Sequence, residues 1–180
     1  MVYILLADGF EEMEALVPAD LLRRAGAEVA LVSVAGQEFV TGLHGVAVKA
    51  DLSLCDTSVG AGEMVVLPGG AGWRNGASPE TEALVRGIFQ KGGWVTAICA
   101  APTLLGSFGL LDGRRAVCYP GMEDGLTGAV VCKGEQVVHD GNLITGEGPG
   151  SAYPFALALV EALKGPAALE QVRGETYYRG

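Results

Sequence analysis

Short apolar runs alternate along the chain with stretches whose apolar positions recur every third or fourth residue, the pattern of an α/β domain with a mainly parallel sheet. "VYILLA" (2–7) reads as a buried strand. "EEMEALVPADLLRRAG" (11–26) predicts a helix with Met13, Leu16, Val17, Leu21 and Leu22 on its apolar face and Gly26 as its stop. Pro18 lies inside that helix and is expected to bend it or weaken its first turns. "EVALVSVA" (28–35) is a second strand, and "QEFVTGLHGVAVKA" (37–50) a small hairpin around Gly42 and Gly45. "EMVVLPGG" (63–70) is a third core strand ending in a glycine pair. "SPETEALVRGIFQKGG" (78–93) is a well-marked helix: Ser78 caps, Pro79 takes the first position and acids fill the first turn. "WVTAI" (94–98) is the next strand, and "APTLLGSFGLL" (101–111) the helix after it. Residues 114–146 hold short strands and turns such as "HDGN", and "SAYPFALALVEALKG" (151–165) is a final long helix stopped by Gly165. No repeat, linker or low-complexity tract interrupts the pattern, so a single domain over residues 1–180 is expected.

Composition narrows the class. A chain of 180 residues, 49% apolar and 18% charged, is long enough to bury about 70% of its unfolded surface and forms a compact globule. Its formal charge of -9 argues against nucleic acid and anionic membrane surfaces as partners. Uncharged apolar runs stay short of the ~20 residues that span a bilayer. "MVYILLADGF" lacks the basic start of a signal peptide and reads as a first core strand. Cys55, Cys99, Cys118 and Cys132 form no CxxC pair and no metal-type spacing with the two histidines. A reduced, cytoplasmic protein with free thiols, no metal and no cofactor is the expectation.

Cys99 sits where "WVTAI" meets "APTLL". A nucleophile elbow needs small residues two before and two after the reactive side chain, and Ala97 and Ala101 supply them. Pro102 is tolerated in a first helical turn, and the positive helix end is expected to lower the thiol pKa. Free cysteines are most often inert buried hydrophobes, but the turn placement favours a nucleophile. Cys55, Cys118 and Cys132 lack such a setting and read as structural. The glycine pair Gly69–Gly70 allows a backbone N–H to face the carboxyl edge of the sheet, where Gly70 and Ala100 N–H groups would hold a developing oxyanion. Of the acids at the first helix, Glu11 and Glu12 read as solvated groups compensating the dipole. Glu14 neighbours the apolar face and could turn inward, where burial would raise its pKa and suit it to proton relay. His44 and His139 read as surface residues, so no Cys-His-Asp triad is assembled.

These elements, in this order, resemble the ThiJ/PfpI superfamily, most nearly the branch that holds the parkinsonism-associated deglycase. "EEMEALVPADLLRRAG", "VVLPGG", "AICAAPTLL" and "GEGPGSAYPFALALVEAL" carry the resemblance over nearly the whole chain. It implies a flavodoxin-like three-layer sandwich and a homodimer whose usual face is the first-helix region. It also implies a protonated glutamate, here Glu14, hydrogen-bonded to the elbow cysteine, here Cys99, with Gly69, Gly70 and Ala100 lining an anion site. The activities implied are cofactor-free, glutathione-independent glyoxalase and deglycase, beside redox-sensing and chaperone roles. Two departures matter. Ala100 stands where protease-like members carry histidine, which counts against a peptidase. Tyr119, in "AVCYPGMED", replaces a histidine common in the branch; a phenol with pKa about 10 donates a hydrogen bond but is a poor base. Glu14 is then left to move protons, with Tyr119 as an auxiliary. The expectation is a cysteine-dependent enzyme acting on a small aldehyde such as methylglyoxal or its adducts. The alternative is a non-enzymatic redox sensor or stress chaperone working through Cys99 oxidation. A thiamine-pathway role finds no phosphate-binding or thiazole-specific feature.

Overall fold

Every residue of β1 (Val2–Leu6) is buried, and a parallel strand buried on both faces has to be covered on both. In the computed structural model, which describes residues 1–60 and 63–179, helices provide that cover. The chain runs through α1 (Glu12–Arg24), β2 (Val29–Ser33), the hairpin β3 (Phe39–Thr41) and β4 (Ala47–Lys49), and the short β5 (Leu52–Ser53). It continues with β6 (Met64–Leu67), α2 (Pro79–Gln90), β7 (Trp94–Ile98), α3 (Pro102–Ser107), β8 (Arg115–Ala116) and β9 (Val130–Val131). β10 (Val137–Asp140), β11 (Leu143–Gly146), α4 (Ala152–Lys164) and α5 (Pro166–Glu175) complete it.

Seven strands form the main sheet in the order β10-β11-β7-β6-β1-β2-β5, parallel throughout except for β10 at one edge. Alternate residues of each strand feed two cores. Ile4, Leu6, Val66 and Ile98 pack under α1, α4 and α5; Tyr3, Leu5, Val65 and Ala97 pack under α2 and α3. This is the flavodoxin-like α/β sandwich expected. Because β2 and β6 flank β1 on opposite sides, the connections after β1 and β6 diverge and open a crevice at their carboxyl ends. Among the described residues no helix is long and apolar enough to cross a membrane.

Three expectations are corrected. The buried face of α1 carries Glu12, Glu14, Ala15, Pro18, Ala19, Leu21 and Leu22, whereas Met13 is 50% exposed and Leu16 and Val17 only half-buried. Small residues face inward because α1 lies directly against α4, and the helix runs on through Pro18 without a break. Gly165 does end α4, yet Pro166 at once opens α5: proline fits a first helical turn, and Val172 anchors the new helix in the core. Nor are Glu11 and Glu12 solvated, being 7% and 9% exposed.

Candidate active site

Cys99 follows β7 directly and adopts φ 65°, a left-handed conformation that costs a residue with a side chain about 1–3 kcal/mol. Two long-range hydrogen bonds hold it there. Its N–H donates to the carbonyl of Gly146 at the end of β11 (2.9 Å), and its carbonyl accepts the Tyr119 N–H (2.8 Å). Ala97 and Ala101 are fully buried, as the tight turn requires, and the Thr103 hydroxyl donates to the Ala100 carbonyl (2.6 Å) at the start of α3.

Glu14 reaches the same point from α1. It is wholly buried, and its Oε2 accepts the Gly69 N–H at 2.7 Å, while Oε1 has no hydrogen-bond partner of ordinary geometry among the described residues. Gly69 lies between acid and thiol: a Cβ there would stand 2.8 Å from Cys99 Cβ and 2.8 Å from Glu14 Oε2. Gly70 has φ +93°, and a Cβ on it would strike the backbone of Gly9, Phe10 and Glu11. That close approach is a bridge between Phe10 and Gly70, reinforced by Glu11 N–H donating to the Gly69 carbonyl (3.0 Å). Glu11 in turn caps α1, its Oε2 accepting the Glu14 N–H at 3.0 Å.

Burial raises the Glu14 carboxyl to about 7, against the pull of the Gly69 N–H and the Cys99 thiol. Burial also pushes the Cys99 thiol up to about 12; the negative charge of Glu14 adds to this, and the Ala100 and Gly70 N–H groups oppose it. The expected lowering of the thiol by a helix end is therefore not found: α3 spans six residues, and burial beside an acid outweighs its dipole. Groups coupled this closely titrate as a unit. Above about 7 the pair has lost one proton and shares the other. With that proton on the carboxyl, Oε1 has the sulfur as its hydrogen-bond acceptor, and the Gly70 and Ala100 N–H groups face a thiolate.

Tyr119 is 47% exposed, tied to Cys99 through its backbone, and its ring lies on Gly148. The thiol of Cys118 is buried, Cys132 half-buried and Cys55 exposed; all are free, so the structural reading of Cys55 does not hold. His139 lies at the surface beside Trp94. His44 is also exposed, but its N–H (2.7 Å) and Nδ1 (2.9 Å) both meet the carboxylate of Glu12. Burial opposes ionisation of Glu12, yet the His44 ring and backbone hold it down to about 2. Glu11, Glu12 and His44 thus put possible metal-ligand atoms within 4.8 Å of one another, with the Glu12 oxygens already accepting from His44.

Residues 1–162 match the profile of the DJ-1/PfpI family. Drosophila melanogaster DJ-1beta is 41% identical over 172 residues, 94% of this chain and 92% of its own. Its crystal structure superposes with a TM-score of 0.94, covering 99% of this chain and 98% of that one. A Pyrococcus abyssi protein named a deglycase is 36% identical over 165 residues, 91% of this chain and 99% of its own. The structure of Toxoplasma gondii DJ-1, in an oxidized form, is 34% identical with a TM-score of 0.94, covering 99% of this chain.

Proposed function

The chain belongs to the DJ-1/PfpI family, and from that premise we propose that it is a cysteine-dependent, cofactor-free enzyme of the glyoxalase or deglycase type, acting on small reactive aldehydes such as methylglyoxal or on their adducts. The observation that carries the reading is the placement of a wholly buried acid, Glu14, against an elbow cysteine that two backbone N–H groups also approach. The deglycase name of the Pyrococcus abyssi relative lends it support.

The Cys99 thiolate attacks the aldehyde carbon, and the carbonyl π electrons move onto oxygen beside the Gly70 and Ala100 N–H groups. Glu14 gives that oxygen its proton, forming a hemithioacetal. As a carboxylate, Glu14 then takes the proton from the former aldehyde carbon and passes it to the ketone oxygen, giving an enediol, and afterwards carries the first carbon's hydroxyl proton to the second carbon. The first carbon is thereby oxidised and the second reduced, with no outside electron carrier. Water cleaves the resulting lactoyl thioester, releasing lactate and regenerating the thiol. With an amine adduct, expulsion of the amine precedes the same sequence. Lactate formation from methylglyoxal is expected to vanish in Cys99→Ser; activity equal to wild type in that variant would sink the reading.

A second reading rests on the same N–H groups. Two equivalents of peroxide would convert Cys99 to a sulfinate held by Glu14 and the Gly70 and Ala100 amides, as a sensor of oxidation. The family includes an oxidized Toxoplasma gondii structure, which favours keeping it. Intact mass after mild peroxide separates the readings: two oxygens taken up at Cys99, with no lactate made by untreated protein, selects the sensor. Four free thiols fit a reducing cytoplasm. We also propose a homodimer joined through Met13, Leu43 and Val46, each about half exposed where the β3–β4 turn meets α1.

A further inference from the structure

Beside the elbow lies a cleft whose two walls are fastened to Cys99 itself. One begins at Tyr119, whose N–H donates to the Cys99 carbonyl; the other follows Gly146, whose carbonyl accepts the Cys99 N–H. Tyr119, Gln136, Glu147, Pro149 and Ser151 line a space of about 300 Å³ between them. Glu147 and Pro120 also line a second cleft, so both residues are shared between the two. Among the described residues no cation or donor pairs with its carboxylate. The nearby lysine on the second cleft, Lys133, is taken by Glu123 at 3.4 Å. Tyr119, 47% exposed, has its ring against Gly148, where a Cβ would come within 3.3 Å of Tyr119 Cδ2. A carboxylate without a cation partner and an aromatic side chain on one cleft are the chemistry that receives an organic cation, one group supplying charge and the other a π face.

We propose that Glu147 is a specificity-determining residue: the cleft holds the cationic amine portion, an ammonium or guanidinium group, of an aldehyde adduct whose carbonyl carbon lies at Cys99. The inference rests on the aldehyde chemistry proposed for Cys99 and narrows it to adducts of basic amines. Tyr119, a weak substitute for a base, then has a binding role instead. Gln136 and Ser151 on the same cleft supply an amide and a hydroxyl for the cation's neighbouring polar groups.

The test uses thiol labelling, which needs no turnover. Cys99 is labelled with a cationic trimethylammonium-ethyl thiosulfonate, its anionic sulfonatoethyl counterpart and the neutral methyl reagent, and followed by peptide mass. Replacing one nearby negative charge is expected to lower the cationic-to-anionic rate ratio about fivefold or more in Glu147→Gln, and further in Glu147→Arg. Glu28→Gln, an exposed acid with the same change in net charge, controls for the field of the whole protein. A ratio in Glu147→Gln no lower than in Glu28→Gln overturns the subsite. The neutral reagent reports whether the elbow is intact, so a collapsed site is recognised by a changed neutral rate. Absence of lactate formation by the wild type, read separately, overturns the aldehyde chemistry instead.

Discussion

Burial takes the Glu14 carboxyl from 4.5 to about 7, so the folded chain holds a proton that the unfolded chain releases between those values. Stability therefore falls as pH rises through that window: the contribution is complete below about 4.5 and gone above about 7. The loss amounts to roughly 3 kcal/mol at 1.36 kcal/mol per unit. Glu14→Gln, which keeps the volume and removes the titration, is expected to show a nearly pH-independent stability there, measured as urea midpoints relative to wild type. A parallel fall in both proteins would refute it. Cys99 and the inward turn of Glu14 were legible because each follows from local spacing: small neighbours at a strand end, and an acid next to apolar helix positions. The burial of Glu12 was not, since the groups that receive it, His44 N–H and Nδ1, arrive from a hairpin far along the chain.

That hairpin is fixed as an element by a carboxylate. Glu12 accepts from the His44 backbone and ring, Gly42 passes so close to the Glu12 side chain that a Cβ would overlap it, and Thr41 N–H donates to Asp8 (2.9 Å). Glu12 is lowered, so its hold is present above 4.5 and lost as pH falls toward about 2. His44 is raised by its bond to Glu12 and then by that charge, so its part is present below 6.5 and lost as pH rises past its folded value. Amide exchange at residue 44 should be faster in His44→Ala than in wild type at pH 6, and the difference should shrink as pH rises and the wild-type ring loses its proton; equal exchange at pH 6 would count against the tether. Element boundaries were read well where caps are local, as with Ser78 accepting from the Thr81 N–H. The face of α1 was misassigned because hydrophobicity alone favours Met13, whereas close packing on α4 favours Ala15 and Ala19.

At the scale of the whole molecule, the site is assembled from segments around residues 10–14, 69–70, 99–100, 119 and 146–151, which meet because β1, β6, β7 and β11 are neighbours in the sheet. Alternating apolar patterns made the parallel sheet legible; the joining of Gly146 and Tyr119 to Cys99 depends on loop paths that no periodicity encodes. The half-exposed Met13, Leu43 and Val46 belong to this scale as well. The wild type is expected to sediment as a dimer and a Met13→Glu, Leu43→Asp double variant as a monomer, and an unchanged sedimentation coefficient in the variant would remove this face as the interface. Gly70 bears on redesign of the site. Its turn leaves no room for any side chain, and what stands in the way is backbone rather than a group that can swing aside. That makes position 70 a locked coordinate: any side chain there requires the loop at Gly9–Glu11 to be redrawn with it. Redesign of substrate preference in this scaffold is therefore expected to succeed on the Tyr119 and Glu147 side of the cysteine and to fail on the amide side.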